Sequence, residues 1–332
     1  MRARPASALV MVAAGLLAAC GSSSGAARLP AADADAAARL SALTDLDQRV
    51  ARVAYRLSVA NAELCPTVRR SAGWALHSSR QYSQALRPFA EARFGLRGDL
   101  PGVLAAPEGS PAAEAGLATA DLILDVNETA LATGDGGERA SFSGLAANVA
   151  RLDEALAQGR IHATVERNGR TRTVAVTPRT ACGYEVQLDP SDELNARADG
   201  RRLFISTALA GFADSDDELA VILGHELAHH VLRHRDWSDL GGLGRSENAE
   251  AHSTRPEGDP ERQADRVGLY LVARAGYDPA VAAPFWRRFG ASNWRVRYPQ
   301  LAHASAETRA RRLEEVNAEI GRLVAAKQPL HP

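Results

Sequence analysis

His225, Glu226 and His229 form the pattern His-Glu-x-x-His in a chain of 332 residues. On an α-helix, residues four apart lie one above the other, so two imidazoles at this spacing converge on a single ion. Glu226 stands one step round the helix from His225, close enough to hold a water against that ion. Zinc held by two histidines and a carboxylate makes its water nucleophilic near neutral pH, and a glutamate base takes the proton. That is the chemistry of metal-assisted hydrolysis of a peptide bond.

The elements that must position these groups are legible around them. Leu219, Val221, Ile222, Leu223, Leu227, Val231 and Leu232 cover too wide an arc for a solvated helix, so the spacing predicts a largely buried one. Gly224 lowers helix propensity just before the first histidine, as expected where another backbone or a ligand approaches. Residues 214–218, Asp-Ser-Asp-Asp-Glu, cap this helix and match its dipole. His230 and His234 lie off the ligand face or a turn beyond it and read as solvated or supporting residues.

A third ligand has to come from a separate element. Pro260 opens a second helix in which Glu261 and Asp265, four apart, share a face. One carboxylate there suits a ligand and the other a partner for a metal-bound histidine, although acids in a first turn also serve the helix dipole. Between the two helices, residues 236–259 are glycine-rich and polar, long enough to cover a cleft. Residues 194–206 read as two strands about a turn at Asp199-Gly200, and Thr207 to Phe212 as a short helix. Leu313, Val316, Ile320 and Leu323 repeat at helical spacing as core.

The length suggests two or three domains, and a net charge of −1 gives no nucleic-acid footprint. Residues 1–19 carry Arg2 and Arg4 and then an apolar run, as in a signal peptide too short to span a membrane. Leu17-Ala18-Ala19-Cys20-Gly21 resembles the lipobox of bacterial lipoproteins. That likeness implies acylation of Cys20, a tether over residues 20–32 and, with Gly21 following, the periplasmic side of the outer membrane. The alternative is an ordinary secreted protein. Cys65 and Cys182 remain as an even pair, expected to form a disulfide in an oxidising compartment; mass spectrometry of non-reduced peptides tests it.

Residues 33–93 read as helical. Leu46, Val50, Val53, Leu57, Ala60 and Leu64 form a narrow seam, either a coiled-coil dimer or a helix docked on its own chain. Short helical pieces are expected over 66–93, with Trp74 and Tyr82 as core. From Phe94 to residue 180 the texture changes to strands at 102–106, 121–126, 161–166 and 171–177. Ser110-Pro111 opens a short helix, a longer one runs from Leu145 to Leu156, and Asn168-Gly169 makes a hairpin turn. The Gly-Ser-Pro-Ala-Ala-Glu-Ala-Gly-Leu segment followed by Asp-Leu-Ile-Leu resembles a PDZ domain of bacterial envelope proteases. The resemblance implies capture of an extended peptide at a sheet edge, with Phe94-Gly95-Leu96-Arg97 as a partial carboxylate loop. Ala120 and Glu128 stand where that family usually has glycine. A spacer without a ligand is the other reading.

His225-Glu226-Leu227-Ala228-His229 followed by Glu261-Arg262-Gln263-Ala264-Asp265-Arg266-Val267-Gly268 resembles the zinc metallopeptidase family of the CAAX prenyl endopeptidases, HtpX-like proteases and periplasmic quality-control peptidases. Ala273-Arg274-Ala275-Gly276-Tyr277-Asp278-Pro279 is similar too, and the likeness spans roughly residues 180–320. It implies zinc on His225, His229 and Glu261, Glu226 as general base, and Asp265 orienting the site or donating a proton. His303 and Arg309 fit the spacing of that family's residues before its final helix, although Ala304 replaces the usual proline, and either could stabilise an oxyanion; a histidine that caps the helix is the other reading of His303.

The expected architecture is an α+β multidomain chain. A mainly α-helical zincin-type peptidase domain with a small β-sheet (181–332) follows a PDZ-like β-rich domain (94–180) and an N-terminal helical segment (33–93). The expected function is a zinc endopeptidase of the cell envelope acting on protein or peptide substrates, laid along the strand near residues 201–206. No run of about 20 apolar residues follows the leader. The alternative is a chaperone-like or assembly binding protein whose metal site is self-inhibited or secondary.

Overall fold

The computed structural model describes residues 31–134, 137–198, 202–234, 260–292 and 306–332. The leader, Cys20, the Asp199-Gly200 turn, the 236–259 segment and His303 lie outside them. The described chain is a mixture of helices and three sheets around two hydrophobic cores. Among the described residues no helix is long and apolar enough to cross a membrane.

One core belongs to a six-stranded sheet of order β2-β3-β4-β6-β7, with β5 paired to β4. Its strands are β2 (Ala75–His77), β3 (Gly102–Ala105), β4 (Leu122–Val126), β5 (Thr129–Ala130), β6 (Ile161–Arg167) and β7 (Arg170–Val176). Helices α2 (Arg87–Phe94), α3 (Pro111–Glu114) and α4 (Ser143–Ala157) accompany it. Ser110 caps α3 by accepting from Ala113 N at 3.1 Å, with Pro111 at the first helical position. Asn168 and Gly169, at φ 52° and 73°, supply the two left-handed residues that a two-residue hairpin needs.

The other core holds the His-Glu-x-x-His helix. Strands β9 (Glu185–Asp189), β10 (Ala196–Ala198) and β11 (Arg202–Ser206) form a sheet of order β10-β11-β9. Around it lie α5 (Thr207–Phe212), α6 (Asp216–Val231), α7 (Pro260–Arg274), α8 (Ala282–Ser292) and α9 (Ala306–Ala325). Leu313 and Ile320 of α9 are buried in this core, with Val316 and Leu323 packed against it.

Helix α1 (Ala31–Ala60) serves both cores. Leu40 enters the first; Val50, Val53 and Leu57 enter the second at 1%, 0% and 0% exposure. The apolar seam is therefore buried within its own chain, and each of these side chains contributes about 1.5–3 kcal/mol. Arg49 and Arg52 of α1 both reach Asp216 at 2.9 Å, fixing α1 against the start of α6.

Four expectations change. Residues 66–93 are not wholly helical: Val68–Ser71 is a strand, β1, paired with β8 (Arg179–Cys182), and β2 pairs with β3. Their hydrogen-bonding partners lie far along the chain, where no local pattern could show them. Trp74 is only partly buried and lines a cavity, whereas Tyr82 is core. Phe94 to Arg97 closes α2, with Gly95 left-handed at its C-cap, and Arg97 is paired with Glu166, so this segment is not an open carboxylate loop. Finally, β11 is hydrogen-bonded on both sides, by β10 and β9, and cannot accept an added strand.

Cys65 and Cys182 stand at disulfide distance, their Cα atoms 5.5 Å apart and 117 residues apart in sequence. In the chain-entropy account a bond closing so long a loop stabilises by about 4–5 kcal/mol.

Ala120 and Glu128 adopt φ of 71° and 64°, the left-handed conformation in which a side chain costs about 1 kcal/mol. Ala120→Gly and Glu128→Gly are each expected to stabilise the fold by about 0.5–1 kcal/mol, read as a rise in the urea midpoint at unchanged slope.

Candidate metal centre

Helix α6 is buried along nearly its whole length, from Glu218 through Ala228, with Glu226 the exception in being partly exposed. Ser215 caps it by accepting from Glu218 N at 3.2 Å. The Glu218 carboxylate accepts from Asp214 N and is held by both terminal nitrogens of Arg288, at 2.8 and 2.6 Å. Burial works against that charge, but Arg288 outweighs it and holds the Glu218 carboxyl below its ordinary range.

The close approach expected at Gly224 is the crossing of α6 and α7. A Cβ on Gly224 would stand 2.8 Å from Val272 Cγ2 and 3.1 Å from Gly268 O. A Cβ on Gly268 would stand 3.0 Å from the His225 backbone. Two glycines thus let the backbones meet. On α7, Glu261, Asp265, Gly268 and Val272 follow steps of four, three and four along one face, so the carboxylates one and two turns before the crossing arrive beside the histidines.

There the geometry closes. His225 Nε2 is 3.2 Å from His229 Nε2 and 3.3 Å from Glu261 Oε2, and His229 Nε2 is 3.5 Å from Glu261 Oε1. Tetrahedral zinc with bonds of about 2.0–2.1 Å spaces its ligand atoms about 3.3 Å apart, so the two Nε2 atoms and the Glu261 carboxylate, which turns one oxygen toward each histidine, fit three corners of such a site. Among the described residues these three form the one group of histidine, cysteine or acidic side chains arranged to hold a metal ion.

Each imidazole is held from behind. His225 Nδ1–H donates to Asp265 Oδ1 at 2.9 Å, which leaves its Nε2 lone pair facing the other ligands. Asp265 in turn accepts from Arg309 Nε at 3.0 Å, and the Arg309 guanidinium lies over the Trp286 ring. Arg309 is thus engaged with Asp265 and acts through it. His229 Nδ1 is 3.0 Å from His234 Nδ1, whose other nitrogen is 3.0 Å from Gln263 Oε1. Arg233, at φ 55°, turns the chain after α6 so that His234 folds back on His229. His230 faces away, its ring stacked on Tyr184. Gln263 and Trp286 had no signal in the sequence: their roles depend on elements that meet only in the fold.

Burial alone would lower the His225 pKa, but the hydrogen bonds to Asp265 and Glu261 prevail and lift it to about 9. Burial and then the His225 charge push His229 down to about 4. Without metal at neutral pH the pair therefore carries one proton beyond those of two neutral rings, on His225, and a metal that takes both Nε2 lone pairs must displace it. Zinc binding is expected to release about one proton at pH 7. Affinity should rise about tenfold per pH unit toward pH 9 and level off above it, as calorimetry in buffers of different ionisation enthalpy can measure.

Residues 155–244 match the profile of peptidase family M48, a family of zinc-dependent metallopeptidases. The matched stretch is about a quarter of the chain. It includes His225, Glu226 and His229 and ends before Glu261.

Proposed function

We propose that this chain is a zinc-dependent endopeptidase of the bacterial cell envelope. The observation that carries the reading is the spacing of the His225, His229 and Glu261 ligand atoms, which matches the edges of a zinc tetrahedron; Glu226 follows His225 on the same helix. Zinc there would acidify a water and polarise the scissile carbonyl. Glu226 accepts the proton of the attacking water as the oxygen bonds to the carbonyl carbon. It then passes that proton to the leaving amine as the C–N bond breaks. Asp265, braced by Arg309, holds His225 in the tautomer that ligates. His303, outside the described residues, is assigned to the oxyanion.

The substrate is an extended segment added to the outer edge of β10, which no strand pairs among the described residues; β10 is bonded on its other side to β11 and lies against α6. Chelation should abolish cleavage of an unfolded model protein and added zinc should restore it, with internal cuts in the fragment masses. Intact substrate after incubation with the zinc-loaded protein would overturn the reading.

The PDZ-like region supplies a second contact. A cavity of about 460 Å³ lies between β2 and α4 on one side and β9 on the other, lined by Trp74, Leu76, Val149, Asp153, Val186 and Leu188. β2 ends its sheet, so its outer edge can take an extended peptide. Val149→Trp, which narrows the cavity, should weaken binding of a labelled unfolded segment to an inactive variant at least tenfold; unchanged binding excludes the groove. The lipid anchor at Cys20 and the periplasmic face of the outer membrane complete the proposal, resting on the leader and the small residues around the cysteine. The intact mass of the mature protein reports both the acyl group and the Cys65–Cys182 bond; an unmodified mass rejects both.

A further inference from the structure

We propose that His234 and Gln263 are positioning residues that set the tautomer of His229 and thereby make its Nε2 a ligand. The inference rests on reading His229 as a metal ligand, and it concerns how the chain keeps that nitrogen free of a proton. The Nδ1 atoms of His229 and His234 face each other at 3.0 Å, so one must donate and the other accept. The far side of the pair decides which. His234 Nε2 lies 3.0 Å from Gln263 Oε1, an oxygen that can only accept, so His234 Nε2 carries the hydrogen.

Neutral His234 then has a bare Nδ1, which accepts from His229 Nδ1–H. His229 in turn has a bare Nε2, the atom placed 3.2 Å from His225 Nε2 and 3.5 Å from Glu261 Oε1. The opposite polarity puts a hydrogen on His229 Nε2 and closes that corner of the site. The relay starts on α7 and ends on α6, so the helix that brings Glu261 also fixes the ligating nitrogen of the other helix. Asp265, again from α7, does the same for His225. Both imidazoles are thus oriented from one element, His225 directly and His229 through His234. The turn at Arg233 places the intermediary: its left-handed φ of 55° reverses the chain within two residues of the end of α6.

The test compares zinc affinity, by competition with a chromophoric chelator, among wild type, His234→Ala, Gln263→Leu and Gln263→Glu. A second readout is the long-range nitrogen NMR pattern of the histidines in the zinc-loaded protein. Loss of a group that orients a ligating imidazole typically costs 10–100-fold in metal affinity. His234→Ala and Gln263→Leu are expected to fall in that range, with thermal unfolding of the metal-free proteins confirming that each is folded. Gln263→Glu, which can still only accept at neutral pH, is expected to bind within about threefold of wild type, and the NMR pattern is the readout that a packing role would not move. The NMR pattern should place the proton of His229 on Nδ1. The proposal is overturned if His229 ligates through Nδ1, if Gln263→Leu binds zinc as wild type does, or if Gln263→Glu is as weak as Gln263→Leu. Should His234→Ala fail to fold, Gln263→Leu and the NMR pattern decide alone. Failure of wild type itself to bind zinc would instead reject the metal centre, a separate result.

Discussion

Glu226→Gln is expected to lower peptide hydrolysis by about three orders of magnitude while leaving zinc bound at one ion per chain. The side chain keeps its size and its place on α6, one residue past His225, and loses only the ability to take a proton. Nothing in the ligand set changes, because His225, His229 and Glu261 supply the three metal-facing atoms without it. Turnover at a fixed substrate concentration, alongside metal content of the same sample, separates the two effects. A variant that retains even a tenth of wild-type turnover would assign the base elsewhere. One that loses both zinc and activity would show that Glu226 helps hold the metal.

The second large effect is expected at a residue that has no side chain. Gly268→Leu should destabilise the fold by about 3 kcal/mol or more and abolish zinc binding in whatever remains folded. Its Cβ alone would stand 3.0 Å from the His225 backbone, and neither helix can yield there without moving Glu261 and Asp265 away from the histidines. Gly268→Ala gains helix propensity of about 1 kcal/mol, but the contact is with backbone, so a net loss of about 1–2 kcal/mol is expected. Gly321 on α9 is the control: a Cβ added there meets nothing within 4 Å, and Gly321→Ala should stabilise by up to about 1 kcal/mol. Urea unfolding of the three variants, with zinc titration of each, distinguishes a crossing that sets the site from a helix that merely tolerates glycine.

What the sequence disclosed was local. The His-Glu-x-x-His helix, its Ser215 cap, the Ser110-Pro111 helix start and the Asn168-Gly169 hairpin are each specified by neighbours a few residues away, and each is where the spacing predicted it. Gly224 was legible as a point of approach, but not that the approaching group is Gly268. β1 and β2 were hidden, because short strands at 68–71 and 75–77 acquire their structure from β8 and β3. In the site, the shared face of Glu261 and Asp265 followed from their spacing. Arg309 was legible as a site residue, but its spacing could not show that its guanidinium braces Asp265 and lies over Trp286. The link from Gln263 through His234 to His229 joins two helices across a long intervening segment, and no periodicity encodes it.

The pair of left-handed residues at Ala120 and Glu128 shows the reverse relation. A departure from glycine that reads as a weaker resemblance in the sequence is, in the fold, a side chain carried in a left-handed conformation that glycine adopts freely.

The central claim, that His225, His229 and Glu261 jointly hold one zinc ion, is met most directly by equilibrium dialysis of zinc against wild type, His225→Ala, His229→Ala and Glu261→Ala at a fixed free-metal concentration. The arrangement predicts one zinc per wild-type chain and a loss of at least about a hundredfold in affinity for each variant, since a three-ligand site cannot spare a corner. Stoichiometric zinc in His225→Ala or Glu261→Ala, at a concentration that just saturates wild type, would contradict it.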